Sequence, residues 1–210
     1  MNNRWVSDDF TYSDFQNASM KVEGQFGGSR NLRLAGLDLS VLESKRFLNF
    51  GSGGTYYNLS ENETRIDSDE LVSPDYTSLD EIPEGEKFYS VFANQVFEHI
   101  PQENLYDVIN SISLKMHPGG MIIGTIPNIN NWSQYINNLD HKTPLSFYSL
   151  GSFFELSGIE VVDCYRYTKR PKEILEASDQ EIVLFDFLSK YFEMDPAQFI
   201  AVVGKKRGES

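Results

Sequence analysis

Residues 46–70 read RFLNFGSGGTYYNLSENETRIDSDE. A short apolar run, Phe47 to Phe50, enters the turn Gly51-Ser52-Gly53-Gly54, and the pair Ile66-Asp67 follows soon after. Glycines after a strand leave the backbone bare, so the chain can turn sharply and a ligand can approach closely. Dinucleotides use such a turn through G-x-G-x-x-G, with the pyrophosphate on the N-terminus of the next helix. Here the third glycine position is Tyr56, and TYYNLSENE is a poor helix. Pyrophosphate is therefore disfavoured, and with it a nucleotide-dependent oxidoreductase.

A sulfonium nucleoside, S-adenosylmethionine, carries no phosphate. It needs room beside the turn for its amino-acid portion and a carboxylate for its ribose diol. Asp67, at the end of the next short strand, offers two oxygens that accept from both hydroxyls. The plainer alternative is an ordinary turn in which Asp67 caps a neighbouring segment.

Outward from this stretch the signals alternate. RFLNF and TRID read as short strands, PDYTSL as a weak one and KFYSVFANQ as a clear one. Leu105, Val108, Ile109 and Ile112 then recur at helical spacing, with Pro101 in the first turn and Gly119-Gly120 as the stop. GMIIGTIP is an apolar strand. SLGSFFELSG is a short helix with Ser149 as N-cap and Gly158 as its end. IEVVDCYRY is a strand, SDQEIVLFDFLSKYF a helix and QFIAVVGKK a last strand. This alternation predicts an α/β sandwich with a mostly parallel sheet. Ligands of such sheets bind at the carboxyl ends of the strands, where this sequence places its glycines and acids.

The 210 residues suffice for one domain, 46–210, with an N-terminal extension, 1–45. The aromatics of that extension (Trp5, Phe10, Tyr12, Phe15 and Phe26) suggest a packed lid or substrate element. The net charge of −13 repels phosphate backbones and anionic membranes, so neither nucleic acid nor membrane is expected as a partner. Cys164 is the single cysteine, so a disulfide within the chain is impossible and a thiolate zinc site is not expected. The apolar runs are too short to span a bilayer, and MNNRWVSDDFTYS lacks a signal-peptide core. A cytoplasmic protein, monomeric or homodimeric, is the expectation.

The ordered set FLNFGSGG, RID, FYSVFANQVFEHIP, LKMHPGGMIIGTIPN and HKTPLSFYSLGSFFELSGIEVV resembles the class I S-adenosylmethionine-dependent methyltransferases. The likeness spans about residues 46–204. It is nearest to the branch of small-molecule and glycan methyltransferases, in a subgroup that cuts the helix after the glycine turn to a short loop. Phe97-Glu98-His99 matches a Leu-Glu-His motif of that branch. The resemblance implies a Rossmann-like seven-stranded sheet, mostly parallel with an antiparallel last strand. It further implies S-adenosylmethionine held by Asn49, Gly51, Ser52, Gly53, Asp67, Ser78, Leu79, Asp80, Asn94 and Gln95. Asn49 stands where the family has an acid, Thr55 where it has a third glycine, and Gln95 where it often has His.

Methyl transfer requires in-line alignment of a nucleophile, and a hydroxyl nucleophile benefits from a base, most often His. His141, in a polar stretch after the fifth strand, is the first candidate base and His99 the second. His117 reads as structural. Trp132 and Tyr135 can stack on a sugar or aromatic acceptor, or simply pack a helix. No His/Asp/Glu cluster shows metal spacing, so no metal is expected. The expected reaction is O-methylation of a small molecule or glycan. The alternative is a methyltransferase-like binding or assembly module without catalysis.

Overall fold

A computed structural model describes residues 20–22, 46–54, 62–131, 138–168, 178, 180, 183–184 and 199–208. The expected helix at 178–192 falls almost wholly outside this set, as do Trp132 and Tyr135.

Among the described residues, seven strands form one sheet: β1 (Met20–Val22), β2 (Phe47–Phe50), β3 (Glu63–Ile66), β4 (Phe88–Asn94), β5 (Met116–Pro127), β6 (Ile159–Thr168) and β7 (Phe199–Lys206). Their order is β1-β6-β7-β5-β4-β2-β3. Only β7 runs antiparallel to its neighbours, β5 and β6; all other pairs are parallel. Parallel strands covered on both faces read as unbroken apolar runs. Accordingly Phe47 and Leu48 on β2, and Val91 and Phe92 on β4, are fully buried.

Helix α1 (Gln102–Leu114) buries Leu105, Ile109 and Ile112, the stripe expected from its period. Helix α2 (Phe147–Leu156) buries Phe147, Leu150 and Phe154. Phe154 meets Phe97 edge to face at 6.1 Å, and both rings press on β5 at Gly124. A Cβ there would lie 2.9 Å from Phe97, so the glycine admits two aromatic rings where a larger residue would part them.

Four local expectations change. PDYTSL forms no strand; Tyr76 makes only a single parallel bridge to Ile66. The seventh strand is β1, from the N-terminal extension, which pairs with β6. The stop of α1 is Lys115, while Gly119-Gly120 lie inside β5, which starts at Met116. Ser146, not Ser149, caps α2: Ser149 at the third helical position returns a hydrogen bond to the Ser146 backbone, forming a capping box. Cys164 is buried on β6 as a small strand residue.

The chain places β3 on one side of β2 and β4 on the other. The carboxyl ends of β2 and β4 therefore diverge at a switch point, where doubly wound sheets open a crevice.

Candidate functional site

Just past β2, the backbone amides of Gly51 and Ser52 both donate to the carbonyl of Ile66, at 2.8 and 3.0 Å. This ties the glycine turn to the end of β3. Gly51 has φ +70°, and a Cβ on it would stand 2.4 Å from Cγ2 of Val96. Only glycine meets both demands. Gly53 N–H donates to Asp67 Oδ2 at 2.6 Å, and Asp69 N–H to Asp67 Oδ1 at 3.0 Å. A carboxylate has about four acceptor positions, so Asp67 keeps capacity for a diol. Asp69 is itself a cap, accepting from Leu71 N–H.

A cavity of about 580 Å³ opens here. Gly51, Gly53, Asp67, Ser78, Leu79, Asp80, Gln95 and His99 line it. Asn49, Ser52, Asn94 and His141 are not among its lining residues. Asn49 is buried, and its amide donates to Glu63 Oε1 at 2.9 Å. Ser52 is buried beneath the turn. Asn94 accepts from the Thr125 hydroxyl on β5 at 2.7 Å. Gln95, with φ +55°, is held by the same threonine: its backbone N–H lies 3.0 Å from the Thr125 carbonyl. Its side-chain amide reaches Thr125 Oγ1 at 3.3 Å.

Sequence reasoning missed several walls. Phe50 and Ile66 at the strand ends, Ser68 after β3, Val96 and Ile100 after β4, and Asp107, Val108 and Ser111 of α1 also line it, as does Thr77 beside Ser78. Asp107 and Ser111 stand four apart on one helical face, a spacing that reads equally well as solvated surface. Val108, on the expected stripe, packs against the core and also lines the cavity.

Glu98 and His99 share a short 3-10 turn after β4, Phe97–His99. The loop at 138–143 folds onto it: Lys142 and Thr143 amides donate to the Glu98 carbonyl, and the Thr143 hydroxyl donates to the Ile100 carbonyl at 2.6 Å. His141 is thereby set against His99, ring centroids 5.1 Å apart. His99 Nδ1 lies 3.1 Å from the Asp140 carbonyl. A carbonyl only accepts, so Nδ1 carries the hydrogen and Nε2 the lone pair. The Glu98 side chain is 1% exposed, and neither of its carboxylate oxygens has a hydrogen-bond partner among the described residues. Burial pushes its carboxyl up to about 8. His117 lies elsewhere, stacked on Tyr89 at 4.0 Å.

No family model matches the chain, and no curated protein does. Solved structures do. A SAM-dependent methyltransferase from Archaeoglobus fulgidus is 18% identical with a TM-score of 0.65, over 80% of this chain and 89% of that one. The N-methyltransferase NodS from Bradyrhizobium japonicum is 10% identical with a TM-score of 0.54, over 81% and 90%. The [4+2]-cyclase SpnF is 14% identical with a TM-score of 0.53, over 79% and 76%. The fold is that of the class I S-adenosylmethionine-dependent methyltransferases. Since one of these neighbours is a cyclase, the fold leaves the reaction to be argued from the site.

Proposed function

We propose that this chain is an S-adenosylmethionine-dependent methyltransferase acting on a small molecule or glycan, at oxygen. One observation carries the reading. Asp67, at the carboxyl end of β3, is fixed by Gly53 N–H on the rim of a cavity of adenosyl size.

The residues present suit the cofactor. The bare backbone of Gly53 leaves space for an amino-acid portion, since a Cβ there would meet nothing within 4 Å. Asp67 would take the ribose hydroxyls. Ser78, Leu79 and Asp80 would border the adenine, with Ile66, Ile100 and Val108 as apolar walls. When bound, the cofactor supplies a methyl group already activated by its sulfonium.

The protein's share is to hold the acceptor in line and exclude water. His99 is the histidine on the cavity wall, and its Nε2 lone pair is available to an acceptor hydroxyl or to a cation. His141, the first candidate from the sequence, stands behind it. Glycan or small-molecule acceptors accord with the acidic surface, which disfavours nucleic acid.

Calorimetric titration with S-adenosylmethionine and S-adenosylhomocysteine tests this. The wild type should bind at micromolar Kd, about −8 kcal/mol. Asp67→Ala should bind at least tenfold more weakly. Absence of binding by the wild type ends the reading. A second reading, cofactor binding without transfer, is favoured by Asn49, whose amide is committed to Glu63 in place of the family's acid. It predicts binding but no turnover on any acceptor in a screen.

A further inference from the structure

We propose that Glu98, His99 and His141 form a binding site for one divalent transition-metal ion at the edge of the cavity. One ligating atom of each, a carboxylate oxygen and two imidazole nitrogens, lies within 4.8 Å of the other two. Two imidazoles and one carboxylate are a donor set for zinc and its first-row neighbours, whereas magnesium and calcium prefer all-oxygen shells.

Two further observations point to a cation. The first is Glu98. It is 1% exposed, and both its oxygens lack partners among the described residues. A buried carboxylate without hydrogen bonds is a costly arrangement, and pairing or metal coordination relieves it. The His99 Nε2 atom is 4.0 Å from Glu98 Oε1. That gap is too long for a hydrogen bond but wide enough for an ion between them.

The second is the tautomer of His99. Its Nδ1 hydrogen goes to the Asp140 carbonyl, which leaves the lone pair of the neutral ring on Nε2, 4.0 Å from Glu98 Oε1. A backbone carbonyl holding the far nitrogen of a ligating imidazole is a recurring outer-shell device. His141 differs: its Nε2 lies 3.1 Å from the Asn138 amide nitrogen, a donor, so its Nδ1 can ligate only when the Asn138 amide turns its oxygen to Nε2. The Asn138 amide can present either its nitrogen or its oxygen there; presenting the oxygen would give up the bond from Asp140 N–H.

With metal–ligand bonds of about 2.0–2.1 Å, tetrahedral donors stand roughly 3.3 Å apart. Binding would therefore draw the three side chains together. Three protein ligands leave a fourth position open. Of the three ligands only His99 borders the cavity, which sets the site at its edge. On the methyltransferase reading, and only for this role, the ion would hold the acceptor oxygen and lower its pKa. The His99 lone pair would then serve the metal and not a proton.

The test uses the untagged full chain, stripped with a chelator and dialysed. Zinc chloride is titrated by calorimetry, and cobalt(II) by its visible d–d absorption. Expected is one equivalent at micromolar or tighter Kd, with a rise in Tm. Glu98→Gln and His141→Ala should each weaken binding at least tenfold while retaining the wild-type circular dichroism spectrum. His117→Ala, which alters the histidine stacked on Tyr89, should leave it unchanged. Unaltered zinc affinity in both Glu98→Gln and His141→Ala overturns the site, as does absence of zinc and cobalt binding by the wild type. S-adenosylhomocysteine is titrated separately, so failure of the metal site and failure of the cofactor reading remain distinct outcomes.

Discussion

Gly51 and Val96 are packed so closely that a Cβ on the glycine would stand 2.4 Å from one Val96 methyl and 2.8 Å from the other. This contact joins the turn after β2 to the turn after β4 across the switch point. It determines how near the two turns come, and hence the shape of the cavity floor.

Gly51→Ala should therefore destabilise on two counts. Its φ of +70° disfavours any Cβ by about 1–2 kcal/mol, and the overlap with Val96 adds about 1–3 kcal/mol. For a chain of this size each kcal/mol lowers Tm by about 2–4 °C. Adding Val96→Ala should restore the overlap share and leave the conformational share. Gly53→Ala meets open space and should show the conformational share alone. Thermal unfolding of these three variants and of Val96→Ala alone measures all of this, and additive losses in the Gly51/Val96 pair would refute the contact.

Asn49→Asp would restore the acid typical of the resembled family. In this structure it sets a second carboxylate against Glu63, where the amide now donates at 2.9 Å. Like charges in contact raise one pKa and disfavour ionisation of both. The variant should lose Tm at pH 8 and recover it toward pH 5. Its affinity for S-adenosylhomocysteine should not improve, because residue 49 does not line the cavity. A tenfold gain in affinity would show that the side chain reaches the ligand after all.

Glu98 makes stability depend on pH in the metal-free protein. Burial raises its folded pKa from 4.5 to about 8. Below pH 4.5 both folded and unfolded chains hold the proton. Between 4.5 and 8 the unfolded chain releases it and the folded chain keeps it. Stability contributed by this group therefore falls as pH rises, by up to about 1.4 kcal/mol per unit, and levels off above 8. Glu98→Gln lacks this titration. Measured with chelator present, the Tm difference between variant and wild type should widen from pH 5 to 8 in the variant's favour; parallel curves would contradict it.

Ser146→Ala removes the cap of α2 and its reciprocal bond with Ser149. The expected loss is about 1 kcal/mol, or about 2–4 °C in Tm. Ser149→Ala should cost less, since it leaves the Ser146 side chain in place to accept the Ser149 amide. Equal losses would mean that the two serines act only as a pair.

Much of the architecture follows from local signals. Alternating apolar strands and a helix of 3.6 period are legible because burial on two faces or one stripe leaves its mark residue by residue. The Gly51–Gly53 turn and Asp67 are legible for the same reason: positive φ demands glycine, and a carboxylate at a strand end stands out. What the sequence could not determine depends on distance along the chain. Glu98 and His99 lie far from His141 along the chain, and they are brought together by the Lys142 and Thr143 amides on the Glu98 carbonyl, the Thr143 hydroxyl on the Ile100 carbonyl and the His99 ring on the Asp140 carbonyl. The direction of Asn49 was equally hidden, because alternation tells which face a strand residue takes but not that Glu63 waits there. The sequence by itself determined the layers of the sandwich and the bare turn at its edge. Only the tertiary structure decided which polar side chains meet there, because their partners come from loops whose pairing is set by packing and not by periodicity.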